Sequence, residues 1–344
     1  MAQGTVVLIS SYLEPEHVER IAATPGVEVI NEPELLPKPL YQGDHHFGAA
    51  SFRRSPEDER RWREYLSRAE VMFDFDYTNS GRLLQLAPHL KWVQGTSAGI
   101  GEALARWKYL DSAVVFTTAG GVHGTPLAEF CLWAMLSFAK DAFRMARDQA
   151  AHRWERYCGR ELRGTTVGIV GLGRIGREVA RSCRALGMRV VATKRTVSVS
   201  SDPDADEMVP LSDLPTLLRA VDTLILSTPR TPQTVGLIGE REIRTLQRGT
   251  LLINIARGAV VDEAAMIEAL RDGHLRGAAL DVFSKEPLPP TSPLWDMPNV
   301  IVSPHSASTV DTENRKLTDL FCENLRRYLR GDLLLNVFDR ERFY

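Results

Sequence analysis

Three segments in the second half of the chain carry side chains suited to acid-base chemistry on a carbonyl group. Arg257 lies in I-N-I-A-R-G, Asp281 and Glu286 lie in D-V-F-S-K-E-P, and His305 lies in V-S-P-H-S-A. Each segment ends a predicted strand, where α/β proteins place their ligands. Arg257 would hold the carboxylate of a 2-oxo acid and polarise its keto oxygen, and His305 would deliver a proton to that oxygen. Glu286 would orient the imidazole and favour its charged form.

Taken singly, each of these side chains also has a purely structural interpretation. Arg257 could pair with a surface acid, Glu286 could be a solvated loop carboxylate, and His305 could cap a helix or pack in a core, since structural ion pairs perturb such groups as well. Their ordered recurrence at successive strand ends favours the catalytic interpretation.

The segment V-G-I-V-G-L-G-R-I-G predicts a phosphate cradle. An apolar strand ends at Gly171 and Gly173, and a helix begins through Arg174, Ile175 and Gly176. The first glycine permits the tight turn, the second lets backbone N–H groups approach a pyrophosphate, and the third lets the helix pack close to its strand. The alternatives are a tight turn without a ligand and a methyltransferase loop. The methyltransferase hypothesis gives no role to Arg257 and His305.

The residues that follow the second strand of this half predict the choice of cofactor. An acidic side chain about 20 residues after the glycines would hold the ribose hydroxyls of NAD. Here the strand ends at Lys194 and Arg195 instead. A guanidinium can pair with a 2′-phosphate through a planar fork, and a lysine adds a second positive charge. The pair predicts a preference for NADP(H), with NAD(H) as a further substrate, although such a pair could also simply face solvent.

Strands and helices alternate along the chain, which predicts an α/β fold of parallel sheets with helices on both faces. The predicted strands are Thr5–Ile9, Val27–Ile30, Val71–Phe75, Lys91–Val93 and Ala113–Thr117, then Thr166–Val170, Arg189–Thr193, Thr223–Leu226, Leu251–Ile255 and Ala278–Val282. The predicted helices are Glu57–Arg68, Thr125–Arg153, a helix from Arg174, Asp262–Gly273 and Val310–Leu329, and the segments Pro33–Phe52 and Thr196–Asp206 are expected to be loops.

Composition places the chain among ordinary globular proteins. It has 344 residues, a formal net charge of −2 and 44% hydrophobic residues, which predicts two domains and a small-molecule partner rather than nucleic acid or a membrane. The four cysteines form no metal-binding pattern, so no metal site is predicted. The N-terminus lacks the charged head and long apolar run of a signal peptide, so a cytoplasmic location is expected.

Five blocks of sequence together resemble the D-isomer-specific 2-hydroxyacid dehydrogenase family. They are E-L-R-G-T-T-V-G-I-V-G-L-G-R-I-G, S-T-P-R-T-P-Q-T, L-I-N-I-A-R-G-A-V-V-D, A-L-D-V-F-S-K-E-P-L and S-P-H-S-A, and the resemblance extends from about Val71 to Asn336. It implies two Rossmann-like or flavodoxin-like domains with an active-site cleft between them. Residues 1–110 with 309–344 would bind the substrate, and residues 111–308 would bind the dinucleotide.

The same resemblance implies roles for further residues. Arg257, Glu286 and His305 would be catalytic, and the loop Gln94–Gly99 would grip the substrate carboxylate with backbone donors. Cofactor contacts are implied for Thr228, Pro229, Ala256 and Asp281, and substrate contacts for Ser97, Ala98 and Gly99. The stretch Thr125–Arg153 resembles the helix that pairs two subunits, which implies a homodimer.

The basic pair after the second strand resembles the NADP-using glyoxylate and hydroxypyruvate reductases of the family, which favours reduction of a 2-oxo acid. Glu286 stands where formate dehydrogenases carry glutamine, so that subclass is disfavoured.

The first 70 residues match weakly, which leaves the substrate open, and Tyr77 and Trp107 are either pocket residues or core aromatics. His123 is expected to pack or to contact cofactor rather than to do chemistry. A dinucleotide-sensing binding protein or corepressor on the same fold is the alternative function.

Overall fold

The structure is a computed structural model that describes residues 4–41, 43–45, 51–195 and 202–343. The chain forms two compact units. The first comprises Met1–Val122 together with Val310–Tyr344, and the second comprises His123–Thr309. Within the described ranges, no helix has the length and the apolar character needed to cross a membrane.

The first unit is built on a parallel sheet of five strands in the order β2-β1-β3-β4-β5. The strands are β1 (Thr5–Ile9), β2 (Val27–Ile30), β3 (Val71–Phe73), β4 (Trp92–Gln94) and β5 (Val115–Thr117). This is the flavodoxin-like strand order, so the predicted fold class is confirmed. The strand β3 ends two residues before the predicted Phe75 because Asp74 adopts a left-handed φ of 65°.

Helices cover both faces of this sheet. They are α1 (Pro15–Ala22), α2 (Pro56–Arg68), α3 (Leu83–Leu86) and α4 (Gly101–Trp107). The hydroxyl of Ser55 accepts a hydrogen bond from the backbone N–H of Asp58 and so begins α2, which buries Trp62 and Leu66 in the core. The sequence predicted α2 but not the shorter helices.

Both predicted loops fall partly outside the described residues. Of the loop Pro33–Phe52, residues 42 and 46–50 are outside, and its first residues form a single 3-10 turn. Of the loop Thr196–Asp206, residues 196–201 are outside.

The second unit is built on a parallel sheet of seven strands in the order β12-β11-β10-β9-β6-β7-β8. The strands are β6 (Thr166–Val170), β7 (Arg189–Thr193), β8 (Glu207–Met208), β9 (Thr223–Leu226), β10 (Thr250–Asn254), β11 (Leu275–Leu280) and β12 (Val300–Val302). The order reverses between β6 and β9, and dinucleotide folds bind their ligand at such a switch point. Of these strands, β8 was not predicted, and β12 is the strand that was predicted, without bounds, to end at the segment of His305.

The helices of this unit are α5 (Gly124–Lys140), α6 (Ala142–Ala150), α7 (Arg174–Ala185), α8 (Leu214–Arg219), α9 (Glu240–Thr245) and α10 (Glu263–Arg271). The single helix predicted over Thr125–Arg153 is therefore wrong. Asp141 takes a left-handed φ of 52° and ends α5, and its carboxylate then accepts a hydrogen bond from the N–H of Arg144 and begins α6.

The chain returns to the first unit with α11 (Glu313–Arg330), which packs on β3 and β4 through aromatic contacts. The ring of Phe321 lies 5.2 Å from that of Phe73 and 5.2 Å from that of Trp92. The predicted domain boundary after Leu110 would have separated β5 from the sheet to which it belongs. Because β5 pairs with β4, the first unit extends to Val122.

Candidate active site

The glycine-rich turn after β6 has the backbone geometry that a phosphate cradle requires. Gly171 adopts a φ of 105°, and a Cβ at this position would lie 2.7 Å from the carbonyl oxygen of Ser227. A Cβ on Gly176 would overlap the carbonyl oxygen of Gly171. Gly173 is the N-cap residue of α7. A Cβ on Gly173 would meet no other atom within 4 Å. The N-terminus of α7 therefore presents its backbone N–H groups at an unobstructed position.

Unsatisfied hydroxyl groups show that the strand ends around this turn fit a dinucleotide. The hydroxyls of Thr193, Ser227 and Thr228 are buried and have no hydrogen-bond partner in the described part of the chain. These residues follow or end β7 and β9, on either side of β6. Buried polar groups normally find partners, so three of them beside a glycine turn indicate a polar ligand. A bound nicotinamide dinucleotide would supply such partners.

Other predicted cofactor residues lie at the same edge of the sheet. Arg174 is exposed at the first position of α7, whereas Ile175 packs partly against the core. The carbonyl oxygen of Pro229 accepts a hydrogen bond from the hydroxyl of Thr234 at 2.7 Å, which closes the loop after β9. The N–H of Ala256 donates to the side chain of Asn254 at 3.0 Å. Contact of any of these residues with a cofactor stays a prediction.

Beside the basic pair at the end of β7, the structure places a carboxylate that the sequence analysis missed. The ammonium of Lys194 lies 3.7 Å from Oδ2 of Asp202, and Arg177 holds the same carboxylate with two hydrogen bonds of 2.7 and 2.8 Å. The hydrogen bond from Arg177 lowers the pKa of Asp202, with further contributions from the N–H of Asp204 and the charge of Lys194. Arg195 is exposed to solvent. The charge of Lys194 is thus shared with Asp202, a pairing that no local sequence signal indicates.

Glu286 and His305 form a hydrogen-bonded pair in the second unit. Nδ1 of His305 lies 2.8 Å from Oε2 of Glu286, and Oε1 of the same carboxylate accepts a hydrogen bond of 2.9 Å from the N–H of Phe283. Partial burial raises the pKa of Glu286, but the hydrogen bonds from His305 and Phe283 and the charges of His305 and Arg257 outweigh it, so the pKa lies below its ordinary value. Glu286 is therefore ionised near neutral pH and fixes the ring through Nδ1.

The loop that carries His305 is held by Asp281 at the end of β11. Oδ1 of Asp281 accepts hydrogen bonds from the hydroxyl of Ser303 at 2.6 Å and from the N–H of Ala307 at 2.9 Å. These two contacts bracket His305, which adopts a left-handed φ of 56° that a β-carbon makes costly. Burial raises the pKa of Asp281 despite those hydrogen bonds. Asp281 therefore holds the loop in place, and its predicted contact with the cofactor stays a prediction.

Arg257 follows β10, and its position depends on a glycine that the sequence analysis did not single out. One guanidinium nitrogen of Arg257 donates to the carbonyl oxygen of Ala256 at 2.7 Å. A Cβ on the next residue, Gly258, would overlap the backbone of Phe283. The chain beside Arg257 thus lies against the segment that leads to Glu286. The charge of Arg257 acts on that carboxylate, so the three predicted catalytic residues share one edge of the second sheet.

The loop predicted to hold a carboxylate, Ser97–Gly99, follows β4 in the first unit. The N–H of Gly99 donates to the hydroxyl of Ser97 at 3.2 Å, and the carbonyl oxygen of Ser97 accepts from the N–H of Ala119. Ala98 is half-buried between them. These contacts fix the turn, and its role in substrate binding stays a prediction.

The three residues whose roles the sequence left open are located within their units. Trp107 is buried in an aromatic cluster, 5.2 Å from the ring of Phe75, which supports a core role. Tyr77 packs 5.9 Å from Trp107 and donates a hydrogen bond to Asp74. His123 is buried at the start of α5.

Comparison with known proteins gives consistent matches. Residues 132–307 match the family model described as D-isomer specific 2-hydroxyacid dehydrogenase, NAD binding domain. The chain is 32% identical over 271 residues to the glyoxylate reductase of Korarchaeum cryptofilum, covering 75% of this chain and 79% of that protein. It is 35% identical over 252 residues to the D-3-phosphoglycerate dehydrogenase of Archaeoglobus fulgidus, covering 72% of this chain. It spans only 47% of that longer relative.

Two solved structures are similar over the whole chain. A D-isomer specific 2-hydroxyacid dehydrogenase from Xanthobacter autotrophicus, in complex with NADPH and MES, is 31% identical with a TM-score of 0.79 and full coverage of both chains. The NADPH-dependent glyoxylate/hydroxypyruvate reductase of Sinorhizobium meliloti, in complex with NADP and sulfate, is 27% identical. Its TM-score is 0.78, and the match covers 99% of this chain and 100% of that one.

Proposed function

Because the chain belongs to the D-isomer specific 2-hydroxyacid dehydrogenase family, a family of oxidoreductases with an NAD-binding domain, we propose that it reduces a small 2-oxo acid to the D-2-hydroxy acid with NADPH. The observation that carries the proposal is the Glu286–His305 hydrogen bond at the edge of the sheet where Arg257 also lies. A proton donor with a fixed orientation and a cation are what reduction of a carbonyl beside a carboxylate requires.

The catalytic roles follow from the hydrogen bonds that the side chains of Glu286 and His305 already make. The carboxylate of Glu286 accepts the Nδ1–H of His305 and stabilises the imidazolium, so the proton on Nε2 is the one given to the keto oxygen. Arg257 polarises that oxygen and holds the adjacent carboxylate through its guanidinium fork. The dinucleotide, when bound, supplies the hydride. In the reverse reaction, neutral His305 takes the hydroxyl proton at Nε2.

We propose glyoxylate and hydroxypyruvate as substrates and NADP(H) as the preferred cofactor. The relatives named as glyoxylate and hydroxypyruvate reductases, and the two similar structures that contain NADPH or NADP, support this choice. In this chain, Lys194 and Arg195 place two cations after β7, where an acid would disfavour a 2′-phosphate. The backbone N–H groups of Ser97–Gly99 are proposed to bind the substrate carboxylate.

We also propose a homodimer that pairs through α5. This helix leaves large apolar side chains exposed, with Trp133 51% and Leu136 42% exposed, and Met145 of α6 is 46% exposed. Several exposed apolar side chains on consecutive helices are typical of an interface rather than of a solvated surface. A second copy of the chain would cover them.

The proposed function is tested by following NADPH oxidation with glyoxylate, hydroxypyruvate and longer 2-oxo acids. We expect kcat to fall about 100-fold or more in His305→Ala. In Arg257→Ala, we expect kcat to fall and KM to rise. Lys285→Ala, which changes an exposed side chain next to Glu286, is the matched control and should keep its activity. Undiminished turnover in both active-site variants would contradict the proposal. Cofactor binding without turnover of any acid would instead favour a dinucleotide sensor.

A further inference from the structure

A carboxyl group with no role in the proposed chemistry lies at the carboxyl edge of the first sheet. Asp74 follows β3, is completely buried and adopts a left-handed φ of 65°. The hydroxyl of Ser10 donates to the carbonyl oxygens of Phe73 and Asp74 at 2.9 and 2.8 Å, which holds this backbone in place. A buried acid in a costly conformation is retained at functional positions more often than elsewhere.

The side chain of Asp74 is only partly satisfied. Oδ1 accepts a hydrogen bond of 3.2 Å from the hydroxyl of Tyr77 and a long one of 3.5 Å from the N–H of Thr96. Oδ2 is buried without a partner in the described part of the chain. Burial raises the pKa of Asp74 to about 7, although hydrogen bonds from Phe75, Thr96 and Tyr77 oppose the change. Tyr77 is the titratable group in contact with it, and burial keeps that phenol neutral by raising its pKa.

Asp74 contacts the loop proposed to hold the substrate. Strands β3 and β4 are neighbours in the sheet, and Phe73 pairs with Gln94 at their carboxyl ends. Thr96 lies between β4 and the turn at Ser97–Gly99, so the hydrogen bond from its N–H joins Asp74 to the start of that turn. A charge on Asp74 therefore acts on the loop at short range and in a weakly screened environment.

We infer that Asp74 is a specificity-determining residue that restricts the enzyme to 2-oxo acids whose side chain carries no negative charge. The inference rests on the proposed function and narrows its substrate class. The carboxylate common to all 2-oxo acids is bound by the loop donors, but a second anionic group would lie near an acid whose hydrogen-bond donors, from Tyr77 and Thr96, are neutral. A 2-oxo acid whose side chain is a hydrogen or ends in a hydroxyl meets no such repulsion.

The inference separates this chain from one group of its relatives. The substrate named for the Archaeoglobus relative carries a phosphate. A phosphate brings close to two negative charges, which the ionised carboxylate of Asp74 would oppose. Glyoxylate and hydroxypyruvate carry no second charge, so this added repulsion does not act on them.

The test compares hydroxypyruvate with 3-phosphohydroxypyruvate and oxaloacetate in the wild type and in Asp74→Asn. The asparagine keeps an acceptor for Tyr77 and Thr96 but carries no charge. We expect kcat/KM for the two anionic acids, relative to hydroxypyruvate, to rise about tenfold or more in the variant. In the wild type the ratio for oxaloacetate, whose two carboxylates stay ionised throughout, should fall as the pH rises from about 6 to about 8, because the carboxyl of Asp74 ionises over this range, and in the variant it should stay constant.

Tyr77→Phe is the comparison variant, since it removes a hydrogen bond from Oδ1 and keeps the carboxyl group. Because that hydrogen bond lowers the pKa of Asp74, the variant should still discriminate against anionic acids, with the onset of discrimination moved to higher pH. A ratio in folded Asp74→Asn equal to that of the wild type at both pH values would overturn the inference while leaving the proposed function intact. Absence of turnover with every acid would contradict the proposed function instead. In that case, calorimetry with NADP present compares the affinities for glycolate and for the dianion tartronate, which still tests whether Asp74 disfavours a second negative charge. An equal ratio of the two affinities in wild type and variant would overturn the inference.

Discussion

Gly258 packs directly against the backbone of Phe283, so that a β-carbon at residue 258 would overlap the Phe283 carbonyl group. The contact joins the segment of Arg257 to the segment of Glu286, because Arg257 directly precedes Gly258 and Glu286 follows shortly after Phe283. The relative position of the cation and the carboxylate therefore depends on a residue that has no side chain.

Gly258→Ala should force these two segments apart. We expect a loss of about 1–3 kcal/mol in the free energy of unfolding, as in other overpacked sites, and a fall of about tenfold or more in kcat because the catalytic groups separate. Chemical denaturation and steady-state kinetics measure the two effects. Gly81→Ala is the control, since a Cβ there meets open space, and it should change neither quantity. An active, equally stable Gly258→Ala would show that the contact does not position the site.

Glu286→Gln should keep a hydrogen-bond acceptor for His305 while removing the negative charge that stabilises the imidazolium. We expect kcat near neutral pH to fall by about 10- to 100-fold, because the uncharged amide does not stabilise the protonated ring that donates the proton. Steady-state kinetics measure this. A variant with undiminished kcat would show that the reaction does not need the charge of Glu286.

Asp202→Asn should release the charge of Lys194 for the cofactor. We expect the affinity for NADPH and for 2′,5′-ADP to increase by about 3- to 10-fold, with a steeper dependence on salt, and the affinity for NADH to change little. Fluorescence titration with each nucleotide measures this without turnover. Asp204→Asn is the control because Asp204 pairs with Arg177 and Arg181. Equal effects of the two substitutions would contradict a specific role for the Lys194 pair.

Trp133→Glu should prevent the proposed dimer from forming. A carboxylate on the exposed face of α5 would have to be desolvated on association, so we expect a monomer at concentrations where the wild type is a dimer. Light scattering after size-exclusion chromatography measures the mass. Val235→Glu places the same charge at another exposed apolar residue of this unit and should leave the dimer intact. A monomeric wild type would refute the proposed assembly.

The raised pKa of Asp74 predicts a specific dependence of stability on pH. Its folded pKa of about 7 exceeds the ordinary value of 3.8, so the folded protein binds the proton more tightly and stability falls as pH rises between these two values. The loss approaches about 4 kcal/mol above neutral pH, since each tenfold difference in proton affinity corresponds to about 1.4 kcal/mol. Asp74→Asn should remove this part of the dependence in denaturation measured from about pH 4 to 8. A constant difference in stability between variant and wild type across that range would contradict the raised pKa.

The sequence alone determined the features that depend on short stretches of chain. The strands Thr166–Val170, Arg189–Thr193 and Thr223–Leu226 have the predicted bounds, because each is a buried apolar run between breaking residues. The glycine turn was also predicted from the sequence, since only glycine tolerates the φ of Gly171 and the close approach at Gly176. Alternation of strands and helices was sufficient for the fold class.

Tertiary structure alone decided the features that arise from contacts between distant residues. The pairing of Lys194 with Asp202 depends on Arg177 of α7, which holds the same carboxylate, and no local pattern encodes it. The contact of Asp74 with Thr96 depends in the same way on two neighbouring strand ends. The two-residue strand β8 is too short for a periodic signal, and it forms because the existing sheet edge at β7 offers hydrogen bonds. Local propensity is a property of the chain, but the free energy of a carboxylate depends on everything that surrounds it.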